Sequence, residues 1–159
     1  MPALTPCLWF DGCADQAAAF YISIFPNSKR TDGSTFGPDS PGEEGTTMMA
    51  TFDLDGNPFM ALNGGPHYTL TPAISFVIDC KDQQEVDYYW DALVAGGEPS
   101  QCGWLTDRFG VSWQIVPNRL AELMTDPDPA RASRAMQAML KMVKLDIAVM
   151  EAAADGTDQ

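Results

Sequence analysis

Short apolar runs and one-faced helical patterns succeed each other twice along this chain, then give way to a helical stretch. Thr5 to Phe10 (TPCLWF) is an apolar run that ends at Asp11-Gly12, which predicts a strand and a turn. From Asp15 the apolar positions become Ala18, Ala19, Tyr21, Ile22 and Phe25, a spacing that predicts a helix stopped by Pro26-Asn27. Gly37 to Gly45 (GPDSPGEEG) reads as a loop. Thr46 to Leu54 alternates, with Met48, Ala50, Phe52 and Leu54 on one side and Met49, Thr51 and Asp53 on the other. Asp55-Gly56 is a hairpin turn signal, and Pro58 to Leu62 reads as the return strand.

The second half repeats the order. Ala73 to Cys80 predicts a strand, and Asp82 to Ala95 a helix with Val86, Tyr89, Trp90 and Leu93 on one face, ended by Gly96-Gly97. Short strands follow around Pro99 to Cys102 and Trp104 to Thr106. Asp107-Arg108-Phe109-Gly110 reads as a turn with a local ion pair, and Val111 to Val116 as the last strand. At an offset of 68 positions, Phe10-Asp11 falls on Ile78-Asp79, Phe20 on Tyr88 and Phe25 on Leu93; near the last strand the offset is about 54, pairing Gly56 with Gly110 and Leu62 with Val116. An internal duplication accounts for both. Beyond Pro117, Leu120, Leu123 and Met124 suggest a short helix. Asp128-Pro129 then starts a longer one reaching about Ala154, with Met136, Met139/Leu140, Val143, Ile147 and Met150 as its stripe. The stripe would pack across the modules or across a dimer.

Charge narrows the partners. With 22 acidic and 9 basic residues the net charge is −13, which disfavours phosphate backbones and anionic membrane surfaces. The four cysteines, Cys7, Cys13, Cys80 and Cys102, form no C-x-x-C pair, and His67 is the only histidine, so zinc-type spacing is missing. Residues 1 to 8 lack the signature of a signal peptide, and no apolar run approaches the ~20 residues of a membrane span. A cytoplasmic protein with reduced thiols is expected.

Several blocks carry a family resemblance: Thr5-Pro6 with Leu8 to Gly12, Leu62-Asn63-Gly64-Gly65-Pro66, and Pro72 to Phe76. Cys102-Gly103-Trp104-Leu105, Asp107 to Gly110 and Val111 to Pro117 carry it further, and the run from Arg134 to Ile147 completes it. In these stretches the sequence resembles the PhnB-like branch of the vicinal oxygen chelate (glyoxalase/bleomycin-resistance) superfamily, in the group labelled 3-demethylubiquinone-9 3-methyltransferase-like. The resemblance implies an α+β fold: two βαβββ modules forming curved mixed sheets, with C-terminal helices, usually as a homodimer. The expected divisions are residues 1–66 and 67–117 for the modules, 118–154 for the helical extension, and 155–159 for a disordered tail. In metal-using members four inward side chains on the first and last strands of the modules, His and Glu or Gln, hold a divalent ion.

Residues facing one side of a strand share parity, so that ligand set can be tested on the sequence. The candidate inward residues are Thr5, Cys7 or Trp9; Met60 or Leu62; Ala73 or Ser75; and Ser112, Gln114 or Val116. No choice supplies two histidines or carboxylates, and a hard cation wants about six oxygens. No metal and no cofactor are therefore expected. The candidate ligand-binding residues are Cys7, Trp9, Ser75, Trp104 and Gln114. His67 is a candidate general base, or else part of a surface loop, and Cys102 a candidate nucleophile in want of a base. The inventory fits a protein that binds a small metabolite in a cavity between its sheets. The alternative is a metal-independent enzyme of lyase, isomerase or transferase type. A methyltransferase fits less well, because no G-x-G-x-x-G follows a strand.

Overall fold

The computed structural model describes residues 2–157 and divides the chain into two compact units, one ending at Leu70 and the other beginning at Thr71. The first unit runs β1 (Cys7–Phe10), α1 (Ala14–Ile24), β2 (Lys29–Thr35), β3 (Thr47–Leu54) and β4 (Asn57–Asn63). Its sheet has the order β1-β4-β3-β2, with β1 parallel to β4 and the other pairs antiparallel. The alternation read from the sequence sets its faces. Leu8, Phe10, Ala50, Phe52, Leu54 and Ala61 are buried, and α1 meets them with Ala14, Ala17, Ala18, Tyr21 and Ile24. The alanines let the helix approach closely, and Tyr21 stacks on Phe52 at 6.5 Å between ring centroids. Asp55 and Gly56 both have positive φ, 48° and 78°, which makes the β3–β4 connection the tight hairpin expected.

The second unit opens with β5 (Ser75–Cys80), α2 (Gln83–Val94), β6 (Glu98–Pro99), β7 (Trp104–Thr106) and β8 (Ser112–Pro117), in sheet order β5-β8-β7-β6. Each unit is thus a βαβββ module, and the fold is α+β. Asp82 caps α2 by accepting from the Glu85 amide at 2.9 Å, while the Glu85 carboxylate accepts from the Lys81 amide at 2.8 Å. Val86, Trp90 and Leu93 of α2 are buried, as are Leu105, Trp113 and Ile115 of the sheet.

Three short helices complete this unit: α3 (Asn118–Met124), α4 (Pro129–Met139) and α5 (Ile147–Asp155). The single long helix expected from Asp128 to about Ala154 is broken at residues 140–146. Tertiary hydrogen bonds claim that segment. The carbonyls of Met142 and Val143 accept from the amides of Cys102 and Gly103 at 2.9 and 2.7 Å. The Gln83 side chain donates to Leu145 O at 3.0 Å and accepts from Ile147 N at 2.9 Å. Asp146 then caps α5 through the Val149 amide. Leu123, Ala135, Leu145, Met150 and Ala154 close a helical core. Asp155, expected to begin a tail, is instead the last residue of α5, and positions 158 and 159 of that tail lie outside the described residues. No helix among the described residues is long and apolar enough to cross a membrane.

Candidate functional site

The first module carries a cleft of about 640 Å³ beside the β1–β4 pair, with Trp9 among its walls. Leu8 and Phe10 belong to the buried face, so Cys7 and Trp9 project from the other side of the sheet, where Cys7 is exposed and Trp9 half-buried. Strand register sets Trp9 beside Leu62 and Cys7 beside Met60. The indole is then fixed by its surroundings. Its Nε1 donates to Gly65 O at 2.9 Å, and Tyr68 meets it edge-on at 4.9 Å. Its ring lies so close over Gly64 that a Cβ there would come within 2.3 Å of it. The opposite part of the cleft is Phe36, lying over Gly42 at an equally short distance. Phe36 N donates to Thr46 O at 2.8 Å and Gly45 N to Phe36 O at 2.9 Å, so backbone bonds close the Gly37–Gly45 loop at its base.

The polar rim comes from the start of α1 and from that loop. The leading amide of α1, Ala14 N, donates to Asn63 Oδ1 at 2.9 Å, and the Asn63 amide donates to Thr47 O at 3.0 Å. Asp15 accepts from the Thr47 hydroxyl and from Arg30 Nη1 at 2.5 Å. The Thr47 bond first, and the Arg30 guanidinium after it, hold the Asp15 carboxyl below the usual carboxylate range. Asp11 and Glu43 are exposed on the same cleft.

The second module gathers three of the sequence candidates on one sheet face. Ser75 stands beside Ser112, and Ser112 beside Thr106; one step along, Val77, Gln114 and Trp104 form the next row. Gln114 Nε2 donates diagonally to Ser75 Oγ at 2.9 Å. The two modules share their order of elements and differ in register. By the two offsets Cys7 falls on Ser75 and Met60 on Gln114, yet Cys7 pairs with Met60 whereas Ser75 pairs with Ser112. The register has moved by two residues, which keeps every side chain on its face. Ser112 is buried, and among the described residues its hydroxyl lacks a hydrogen-bond partner, as does the Thr51 hydroxyl of the first module.

The remaining candidates lie apart from these groups. His67 is exposed in the turn after β4. Cys102 sits half-buried in a tight turn at φ 57°, its amide bound to Met142 O. Asp107 is structural. It is 3% exposed, and its carboxylate accepts from Phe109 N at 2.8 Å, Val111 N at 3.1 Å and Trp113 Nε1 at 2.8 Å, while Arg108 bonds Ala95 O. Among the described residues no group of three or more His, Cys, Asp or Glu is placed to hold a metal ion. Gln114 and Ser75 are neutral donors bonded to each other, a poor set for a divalent ion. The residues present do not fit such an ion. Sequence reasoning missed Phe36, Gly42 and Asp15; the one available signal was an aromatic directly ahead of the Gly- and Pro-rich loop.

The model of a family described as 3-demethylubiquinone-9 3-methyltransferase matches residues 2–116. Among solved structures the chain is similar to a PhnB protein from Bacillus cereus that carries the same family description. The two share 34% identity with a TM-score of 0.67, over 73% of this chain and 99% of that one. Protein PA1353 from Pseudomonas aeruginosa is 22% identical (TM-score 0.62; 74% of this chain and 98% of that one). The fosfomycin resistance protein FosX from Listeria monocytogenes is 18% identical (TM-score 0.57; 76% and 94%). These last two likenesses concern the fold alone. None of the curated proteins matches the chain.

Proposed function

The chain belongs to the 3-demethylubiquinone-9 3-methyltransferase-like (PhnB) family of the vicinal oxygen chelate superfamily, and from that premise we propose that it binds a small organic metabolite in the cleft of its first module, without a tightly held metal ion. The observation that carries this reading is the seat of Trp9. A rigid indole, pinned at Gly65 O and laid on Gly64, offers stacking area that loses little entropy when a ligand arrives. A cleft of about 640 Å³ is within the size range of small-molecule sites. Ser75 and Gln114, half-buried and bonded to each other on one face of the second module's sheet, are a second polar group for a ligand. Methyl transfer is the weaker reading. The strand orders β1-β4-β3-β2 and β5-β8-β7-β6 are unlike the doubly wound parallel sheet whose Gly-rich turn cradles a nucleotide-type cofactor. The proposal extends to a cytoplasmic homodimer, which sedimentation of the purified chain and cell fractionation would check.

The test is thermal shift of the purified protein against a metabolite panel that includes S-adenosylmethionine, repeated on Trp9→Ala. A ligand at roughly 100 times its Kd adds about 2.7 kcal/mol to stability. The expected result is a shift by one compound class that Trp9→Ala removes. A shift that survives Trp9→Ala, or no shift at all, overturns the cleft. A shift by S-adenosylmethionine alone restores the methyltransferase reading.

A further inference from the structure

Resting on the cleft reading above, we infer that the ligand of the first-module cleft is an organic cation, an ammonium or amine carried on a small apolar body. Two kinds of wall converge on this chemistry. Trp9 and Phe36 present aromatic surface, and each ring is seated against a glycine whose Cβ would displace it. Aromatic faces carry negative quadrupole density that attracts cations, most strongly when water is partly excluded. The rim is the second wall. Asp11, Asp15 and Glu43 line the cleft, whereas none of its lining residues is Lys, Arg or His. Arg30, the cation nearest in the hydrogen-bond network, is taken up by Asp15. Asp11 and Glu43 are exposed and have no ion-pair partner among the described residues, so their charge is available to a ligand. The start of α1 also borders the cleft, and such an end ordinarily favours anions. Here its leading amide is already bound to Asn63 Oδ1, and carboxylates stand before and within its first turn at Asp11 and Asp15. The net charge of −13 acts in the same direction at longer range.

Three probes of similar size separate charge from shape: benzyltrimethylammonium, benzyl alcohol and benzoate, each titrated calorimetrically into the full chain. The cation should bind about tenfold more tightly than benzyl alcohol, and benzoate no better than the alcohol. Asp11→Asn with Glu43→Gln, both at exposed positions, should weaken the cation roughly fivefold and leave benzyl alcohol within about twofold. Added salt should weaken only the cation. Equal binding of the three probes, or no response of the cation to the double variant, overturns the inference. The two ideas then part on Trp9→Ala and on Trp9→Phe, which keeps an aromatic ring should the alanine variant fail to fold. If all three probes bind equally and lose affinity in these variants, the cleft stands and the charge preference falls. If no probe binds, or none responds to either variant, the cleft falls as well.

Discussion

Removing the Asp107 carboxylate should destabilise the second module strongly. Its two oxygens serve three N–H donors: the Phe109 and Val111 amides and the Trp113 indole. Val111 and Trp113 are both 3% exposed, so in Asp107→Ala their donors would find no water in place of the carboxylate. An orphaned buried donor costs about 1–3 kcal/mol, and bonds to a charged acceptor lie at the upper end. Counting the two buried donors in full and the partly buried Phe109 amide in part gives roughly 3–6 kcal/mol, a large share of a domain's usual 5–15. Asp107→Asn separates the contributions. Its remaining oxygen can still serve the two amides, but its NH₂ group faces the indole N–H, donor against donor, at a cost of about 1–3 kcal/mol. Trp113→Phe removes that opposing donor, so Asp107→Asn should cost less when combined with Trp113→Phe than when made alone. Urea unfolding followed by far-UV circular dichroism measures the four corners of this cycle. A cost under about 1 kcal/mol for Asp107→Ala, or the same cost of Asp107→Asn in both backgrounds, would refute the three-donor account.

Three further outcomes follow from other sites. Burial, and behind it the carboxylates of Glu85, Asp79 and Asp82, push the Cys80 thiol up to about 12. In the native protein at pH 8 Cys80 should resist a thiol reagent, and denaturant should release it; fast native labelling at Cys80 would contradict its burial. Asp15 is held below the ordinary carboxylate value of 3.8 by Thr47 and Arg30, so its charged form stabilises the folded state. That contribution is complete above about pH 5 and is lost as pH falls through the lowered folded-state value. Unfolding midpoints should therefore fall less steeply with acid in Asp15→Asn than in the wild type, and parallel acid limbs would count against the interaction. Gly64→Ala places a methyl 2.3 Å from the Trp9 ring, so the indole must leave its seat at a cost of about 1–3 kcal/mol. Trp9 emission and thermal stability should both change, and an unaltered melt would show that the ring was never fixed.

Local chemistry made the modules readable. The β3 alternation and the Asp55-Gly56 turn are each decided within a few residues, and the structure keeps both. Strand β2 is the opposite case. Its sequence KRTDGST is polar and every residue is exposed, because it is an edge strand paired on one side alone, with β3. Charged side chains protect such an edge from pairing with other chains, and the same charges erase the apolar signal that would reveal the strand. The break between α4 and α5 was hidden for a different reason. Apolar spacing runs on through Leu140 and Val143 as a helix would require, and the break is held from afar, by the amides of Cys102 and Gly103 on the Met142 and Val143 carbonyls and by Gln83, some sixty positions away, on Leu145 O and Ile147 N.

The same division governs the candidate site. Parity along β1 sets Cys7 and Trp9 on one face by the pleat alone, whereas bringing Ser75, Gln114 and Trp104 onto one face required the pairing of three strands. What turns Trp9 from one aromatic on a sheet face into the wall of a cleft is a set of contacts across distance in sequence. Gly64 must be flat beneath the ring, Gly65 must offer its carbonyl, and the Gly37–Gly45 loop must fold back far enough to bring Phe36 and Glu43 to the same space. That loop holds no apolar pattern, so its bare sequence argues for solvent exposure. Its base is fixed by the Phe36–Thr46 and Gly45–Phe36 backbone bonds, which depend on strand ends and leave no trace in side-chain composition. A ligand preference for cations would come from this loop and from the turn before α1. It would belong to the first module alone, because the loop has no counterpart at the corresponding place in the second, where β6 and β7 are joined by only four residues.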